Sequence, residues 1–193
     1  MPDPRYIRQE IFEPIGADGQ RRISAACAVI VGCGALGTNI ANNLARSGVG
    51  RLRLVDRDIV ELDNLQRQVL FDEDHVRRRM PKAAAAVERL RRVNSGIALE
   101  AVVAEVSPAN VEALLAGADV VMDGADNVEC RLLLNDACLK HGLACMFAGA
   151  VAATGIVLPM VPGQTPCYRC LMTEVPAPGT APTAATAGIL HST

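Results

Sequence analysis

Three glycines at a fixed spacing mark the first place in the chain where chemistry could be anchored. Gly32, Gly34 and Gly37 follow a short β-branched run and open a segment with helical periodicity. Such a loop turns tightly and points backbone N–H groups at phosphate oxygens near a helix N-terminus. Asp56 stands at the end of the second predicted strand, where a carboxylate can hold a ribose hydroxyl. These residues predict a nucleotide site, and alone they favour NAD(P).

A polar segment that follows Asp56 departs from the dehydrogenase pattern. Asn64, Arg67 and Gln68 place amide and guanidinium donors in one loop. An arginine can clamp a triphosphate with two parallel hydrogen bonds. Taken singly, Arg67 and Lys82 could equally be ordinary surface cations, and Asp123 could cap the helix after the fourth strand.

The seven cysteines divide into two groups. Five lie in apolar or helical segments, where a free thiol packs as a small hydrophobic group: Cys27, Cys33, Cys130, Cys138 and Cys145. The other two, Cys167 and Cys170, have the spacing of half a four-thiolate zinc site. Two free thiols in a loop are the plainer interpretation of that pair.

Short strands and longer helices must position these residues. The pattern predicts strands over 28–31, 51–55, 97–103, 119–123 and 143–148, and a strand-like segment over 155–161. It predicts helices over 36–46, 81–93, 108–116 and 129–141. This alternation is typical of βαβ units, so we expect an α/β fold, a Rossmann-like, doubly wound and mostly parallel sheet.

The chain length of 193 residues favours one domain, 1–193. Within it we expect a helical N-terminal arm over 1–25, with a helix from Tyr6 to Phe12, and a Rossmann-like core over 26–160. A crossing loop with the CxxC pair would occupy 161–193, since 162–182 is rich in Pro, Thr, Ala and Gly. The basic run 77–79 is interpreted as a solvated helix start.

Composition narrows the function classes. A net charge of −2 without an extended basic stretch argues against nucleic-acid binding. The sequence has no apolar run long enough for a bilayer span, and its start lacks the features of a secretory signal. We therefore expect a cytoplasmic protein with no membrane association.

Several spaced motifs, taken together, resemble the ThiF/MoeB/HesA family, bacterial relatives of the ubiquitin-activating enzymes. The motifs are Arg5-Tyr6-x-Arg8-Gln9, the glycine loop, Asp56-x-Asp58, Asn64-Leu65-Gln66-Arg67-Gln68, Pro81-Lys82, Asp123-x-x-Asp126-Asn127 and Pro166-Cys167-Tyr168-Arg169-Cys170. The resemblance runs from Arg5 to the end of the chain.

The resemblance implies ATP-dependent adenylation of the C-terminal glycine carboxylate of a small ubiquitin-like sulfur carrier ending in Gly-Gly. It makes Arg67 and Lys82 the catalytic cations on the ATP phosphates, and Asp126 the ligand of Mg²⁺. Arg8 resembles an arginine that family dimers insert into the neighbouring subunit's site, which implies a homodimer. The other nucleotide-binding positions implied are Gly32, Gly34, Ala35, Gly37, Asp56, Asp58, Asn64, Gln68 and Asn127.

Three departures from the family pattern limit this expectation. Ala35 stands where relatives often have glycine. Ala184 stands where they often have the cysteine proposed to take over the acyl group, so sulfur transfer does not follow from the resemblance. The family's second CxxC is absent before Thr193, so we expect the chain to be truncated, with Zn²⁺ bound if that motif exists beyond it.

Rival functions remain open on sequence grounds. The glycine loop and Asp56 alone support an NAD-dependent oxidoreductase. Ala184 and the missing half of the zinc site suggest a non-catalytic scaffold that binds a ubiquitin-like protein. Within the family, activation of a peptide or of a modified tRNA base is a further alternative, and the weak positive charge speaks against tRNA.

Overall fold

A six-stranded sheet organises the chain, in a computed structural model that describes residues 3–172 and 174. The strand order is β3-β2-β1-β4-β5-β6. In chain order the strands are β1 Cys27–Val31, β2 Arg51–Val55, β3 Ala98–Val102, β4 Val120–Asp123, β5 Ala144–Val151 and β6 Thr154–Met160. All neighbouring pairs are parallel except β5 and β6, which are antiparallel. The predicted α/β, mostly parallel sheet is confirmed.

Eight α-helices are present in the described part of the chain. They are α1 Ile7–Ile11, α2 Gly16–Ala25, α3 Ala35–Ser47, α4 Glu73–Arg77, α5 Lys82–Val93, α6 Val111–Leu115, α7 Val128–His141 and α8 Tyr168–Leu171. Short 3₁₀ turns cover Pro4–Tyr6 and Leu62–Asn64. None of the helices among these residues is long and apolar enough to cross a membrane.

The central strand β1 is buried on both faces, as the doubly wound fold requires. Ala28 and Ile30 pack into the cluster that contains α3 and α5 residues, whereas Val29 and Val31 join the cluster built with α6 and α7. Successive side chains of a strand point to opposite faces, so one apolar run serves both cores. The sheet is thereby held rigidly beneath its loops.

The N-terminal arm packs at the C-terminal end of α3. Tyr6 is buried and its Oη accepts a 2.7 Å hydrogen bond from Nδ2 of Asn94. Asn94 also donates to the carbonyl of Ala45 near the end of α3. At Gly48 a Cβ atom would lie 2.4 Å from the Tyr6 ring, so this turn needs glycine. The helix predicted over 6–12 is present, and α2 extends the arm beyond it.

One local prediction was wrong. The basic run Arg77–Arg79 ends α4 instead of starting a helix, because Asp72 caps that helix by accepting from the Asp74 and His75 amides. Cations are favourable at a helix C-terminus, where they face the negative end of the dipole. The predicted crossing loop over 161–193 stays a prediction; its described part contains the four-residue helix α8. Residues 173 and 175–193, including Ala184, lie outside the described residues.

Candidate functional site

A cavity of about 650 Å³ opens at the carboxyl ends of the parallel strands. The strand order reverses between β1 and β4, and open α/β sheets bind ligands in the crevice at such a point. Nearly all residues predicted to bind the nucleotide line this cavity: Gly32, Gly34, Ala35, Asp56, Asp58, Asn64, Arg67, Gln68, Lys82, Asp126 and Asn127. The structure therefore brings together positions spread over 96 residues of sequence.

The glycine loop joins β1 to α3 with no room for side chains at two of its positions. Gly32 has a φ of 89°, and a Cβ atom there would lie 2.5 Å from the Gly124 carbonyl oxygen. Gly37 does not line the cavity, because it packs inward, where a Cβ atom would lie 1.7 Å from the Gly32 oxygen. At Gly34 a Cβ atom would meet no atom within 4 Å. The thirteen-residue α3 thus presents its N-terminus to the cavity.

Asp56 fastens the end of β2 to the glycine loop. Its Oδ2 accepts a 2.6 Å hydrogen bond from the Cys33 amide, and its Oδ1 accepts one of 2.8 Å from the Asp58 amide. Desolvation raises the pKa of this carboxyl, and the two amide hydrogen bonds oppose the shift. Each oxygen keeps a lone pair, so Asp56 both shapes the loop and can accept from a ribose hydroxyl.

Lys82 is buried and aimed into the cavity, unlike an ordinary surface cation. Its Nζ donates to Oδ2 of Asp58 at 3.1 Å, and its amide donates to the Asp58 carbonyl at 2.8 Å. A β-bridge between Ile59 and Pro81 holds the two segments side by side. Asp58, predicted only as a nucleotide-binding position, therefore contacts this cation directly.

Arg67 offers the cavity a second cation. Its Nη1 donates to the Asp63 carbonyl at 2.8 Å, and no carboxylate among the residues the structure describes forms an ion pair with it. A half-buried guanidinium without a counter-charge favours an anionic ligand.

The two amides beside Arg67 have different positions in the site. Asn64 is engaged in its own 3₁₀ turn, since its Oδ1 accepts from the Glu61 amide and its Nδ2 donates to Asp63. Gln68 is 3% exposed and lines the cavity, and its Oε1 has no hydrogen-bond partner among the described residues. A buried acceptor without a partner is costly, so Gln68 fits a ligand that brings a hydrogen-bond donor.

Asp126 projects from the turn between β4 and α7. Asn127 caps α7 by accepting from the Cys130 amide at 2.8 Å, and its Nδ2 donates to Oδ1 of Asp126 at 3.2 Å. Residues 3–172 hold no cluster of three or more His, Cys, Asp or Glu side chains that could bind a metal. One carboxylate in the cavity nevertheless fits Mg²⁺, which can take its remaining ligands from phosphates and water.

Sequence reasoning missed Arg131 and misplaced Asp123. Asp123 does not cap the helix; it is fully buried and faces Arg131, with Oδ2 and Nε 3.0 Å apart. Desolvation raises the pKa of Asp123 to about 6, against the opposing charge of Arg131. The available signal was spacing, because Arg131 follows Asn127 by one helical turn and projects from the same side of α7.

Arg8 is exposed on α1 and does not line the cavity of its own chain. The neighbouring Gln9 donates to the Ser47 carbonyl at the C-terminal end of α3, whereas the cavity lies at the N-terminal end of that helix. Thirteen residues of α-helix separate these ends by roughly 20 Å. The predicted action of Arg8 in a neighbouring subunit stays a prediction.

Tyr168 in the CxxC turn lines the cavity, whereas Cys167 and Cys170 do not. Cys167 and Cys170 have their Sγ atoms 3.5 Å apart, close to the roughly 3.8 Å separation of two thiolates on a tetrahedral zinc. Although desolvation opposes the shift, hydrogen bonds from Cys170 lower the pKa of Cys167. The Tyr168 amide donates to Asn135 at 2.8 Å, and its ring stacks on Phe147. The thiol pair is thus fastened to α7 and β5.

Comparisons with known proteins identify the family of the chain. The model of the ThiF family matches residues 6–193. A sulfur carrier protein ThiS adenylyltransferase from Bacillus subtilis (strain 168) is 47% identical over 186 residues, which cover 96% of this chain and 55% of the relative. The SAMP-activating enzyme E1 of Haloferax volcanii is 42% identical over 186 residues, covering 96% of this chain and 68% of the relative.

Solved structures resemble the fold closely. The crystal structure of E. coli MccB with ATP has a TM-score of 0.78 at 31% identity, covering 88% of this chain and 51% of that one. E. coli tRNA N6-threonylcarbamoyladenosine dehydratase, TcdA, in complex with ATP, has a TM-score of 0.72 at 28% identity, covering 78% of this chain and 61% of that one. The chain therefore spans about half the length of several proteins it matches.

Proposed function

Since the chain belongs to the ThiF family, we propose that it adenylates the C-terminal glycine carboxylate of a small ubiquitin-like carrier protein with Mg·ATP. The observation that carries the proposal is the convergence of Arg67, Lys82 and Asp126 on one cavity at the N-terminus of α3. A dehydrogenase needs the glycine loop and Asp56 but has no use for these three side chains.

In the proposed reaction, a carboxylate oxygen of the carrier attacks the α-phosphorus of ATP. The new P–O bond forms as the bond to the bridging oxygen of the β-phosphate breaks, giving acyl-AMP and pyrophosphate. The atoms balance without a covalent enzyme intermediate. Positioning and charge stabilisation therefore supply the catalysis.

The residues of the cavity divide this work. Main-chain amides at the N-terminus of α3 bind phosphate oxygens, and Asp56 holds the ribose. Lys82 and Arg67 stabilise the charge that develops on the phosphates. Asp126 would hold Mg²⁺, which when bound neutralises charge on the phosphates and the leaving pyrophosphate.

The other half of the cavity suits an extended apolar tail. Phe147, Val151, Ile156, Leu158 and Leu171 line it, and it opens next to the exposed edge strand β6. A carrier terminus with glycines can enter such a space because it has no bulky side chains to accommodate. We propose that the carrier's C-terminus lies along this apolar half.

Sulfur transfer is not part of the proposal. Ala184 cannot take over an acyl group, and Cys130, which lines the cavity, has its pKa raised to about 12 by burial. A thiol with that pKa is almost wholly protonated at neutral pH and is a poor nucleophile. Adenylation is the step this site supports.

Two parts of the proposal concern assembly. Arg8 would complete the phosphate site of a second copy, so the active unit would be a homodimer. Cys167 and Cys170 would bind Zn²⁺ with two further thiolates supplied from outside the described residues.

ATP–pyrophosphate exchange tests the proposal. The full-length protein, with Mg²⁺ and a candidate carrier ending in Gly-Gly, should exchange labelled pyrophosphate into ATP, and a carrier lacking the last two glycines should not support it. Arg67→Ala should abolish exchange, whereas Arg92→Ala, on the exposed face of α5, should not. Retained exchange in Arg67→Ala, or thermal stabilisation by NAD but not by Mg·ATP, would refute the assignment.

A further inference from the structure

Arg131 makes three contacts that converge on the turn carrying Asp126. Its Nε faces Oδ2 of Asp123 at 3.0 Å. Its Nη2 donates to the carbonyl of Ala125 and to the carbonyl of Ala148, both at 2.8 Å. One side chain on α7 thus joins the end of β4, the β4–α7 turn and β5.

These contacts fix the peptide group that leads into Asp126. The Ala125 carbonyl belongs to the peptide bond between Ala125 and Asp126, so the hydrogen bond from Arg131 sets the orientation of that peptide plane. On the N-terminal side of Ala125, its own amide donates to Oδ1 of Asp123 at 2.9 Å. Ala125 is therefore held at its N–H by Asp123 and at its C=O by Arg131, the two partners of one ion pair.

The same arrangement shapes the wall of the cavity at β5. A Cβ atom on Gly149 would lie 3.4 Å from Nη1 of Arg131, at the short end of ordinary van der Waals contact. Gly149 thus lies beside the guanidinium that donates to the Ala148 carbonyl. Arg131 and Gly149 both line the cavity, so a shift of the guanidinium would move two of its walls.

We propose that Arg131 is a positioning residue that orients the Asp126 carboxylate toward the bound metal and phosphates. The inference rests on the proposed function, because it assigns Asp126 to the metal. Partners that orient a metal ligand commonly change metal affinity by about 10-fold or more when they are replaced. A purely architectural arginine would affect stability without changing the response to Mg²⁺.

Arg53 is a matched control within the same chain. Its Nε lies 2.9 Å from Oε2 of Glu100, and its Nη1 donates to the carbonyls of Leu114 and Ala116 at 2.7 and 3.0 Å. Its side chain is 15% exposed, against 19% for Arg131. Both arginines pair with one carboxylate and two carbonyls, but Arg53 does not line the cavity.

The test compares Arg131→Lys with Arg53→Lys in the full-length protein. A lysine keeps the charge but cannot reproduce the planar fork that reaches several acceptors. In the nucleotide-free protein, hydrogen exchange should accelerate over residues 124–128 in Arg131→Lys and over 114–118 in Arg53→Lys. In ATP–pyrophosphate exchange, Arg131→Lys should need about 10-fold more Mg²⁺ for half-maximal rate, and Arg53→Lys should match the wild type.

Arg131→Gln, which keeps one donating amide, serves as a second variant if the lysine variant does not fold. Unchanged hydrogen exchange over 124–128 would overturn the proposal, as would an equal Mg²⁺ requirement in both variants of an active protein. Absence of ATP–pyrophosphate exchange in the wild type would instead count against the proposed function. The hydrogen-exchange comparison then still decides whether Arg131 orders the Asp126 turn.

Discussion

Replacing Lys82 by methionine should remove activity while leaving the fold intact. The buried stem of Lys82 is apolar and methionine retains its length, so packing changes little. The ion pair that is lost joins Nζ to a carboxylate that is 53% exposed, and such pairs contribute about 0–1 kcal/mol to stability. Water can then hydrate the Asp58 carboxylate in place of the lost ammonium group.

The effect on the reaction should be much larger. A unit charge about 4 Å from a phosphate oxygen, at an effective dielectric constant near 20, contributes roughly 4 kcal/mol. If that interaction is made mainly in the transition state, its loss lowers the rate about 10³-fold. The same order of magnitude follows from removing a single donor that stabilises developing negative charge.

Initial rates of ATP–pyrophosphate exchange and thermal unfolding curves measure the two effects on the same samples. Arg92→Met, on the exposed face of the same helix, is the control for loss of a charge from α5. A fall in exchange below 10-fold in Lys82→Met, with the fold retained, would refute the placement of Lys82 on the phosphates. A large loss of stability would refute the argument that its role is electrostatic.

Three further predictions follow from the geometry of the site. Gly37→Ala should destabilise the protein by about 3 kcal/mol or more, because the new Cβ atom would overlap the Gly32 carbonyl. Gly34→Ala, where a Cβ atom meets nothing within 4 Å, should leave the midpoint of urea unfolding unchanged. Equal urea midpoints for the two variants would contradict this prediction. The pKa of Asp123 is raised from 3.8 to about 6, so the free energy of unfolding should fall by up to about 3 kcal/mol as the pH rises from about 4 to 7. The variant Asp123→Asn should lack this fall, and pH curves of the same slope for both proteins would disprove the shift. EDTA should abolish exchange and excess Mg²⁺ restore it, while activity that survives chelation would exclude the metal role of Asp126.

The parts of the fold that depend on local pattern could be predicted from sequence. The strands β1 and β4 are short, mostly apolar runs, β2 alternates Arg and Leu before Val55, and α5 begins at a proline that suits a helix start. Short elements that depend on a single cap could not be recognised this way. The five-residue α4 exists because Asp72 satisfies two free amides, and a run of arginines obscured that signal.

The residues of the candidate site that belong to sequence motifs could likewise be predicted, whereas those that depend on backbone contacts could not. The glycine loop, Arg67, Lys82 and Asp126 occupy motifs, so their residue types and order predicted one nucleotide site. Arg131 depends on carbonyl groups of two different strand ends, and backbone acceptors carry no residue type that could mark them in a sequence. The pairing of Lys82 with Asp58 likewise required the bridge between 59 and 81.

The most direct test of the account is detection of the carrier adenylate itself. The full-length protein would be mixed with Mg·ATP and a carrier ending in Gly-Gly, quenched in acid, and the carrier's mass measured together with released pyrophosphate. The account predicts a carrier that gains one AMP, in step with pyrophosphate, with the wild type but not with Lys82→Met. An unmodified carrier with no pyrophosphate release, under conditions where the protein binds both ATP and the carrier, would contradict it.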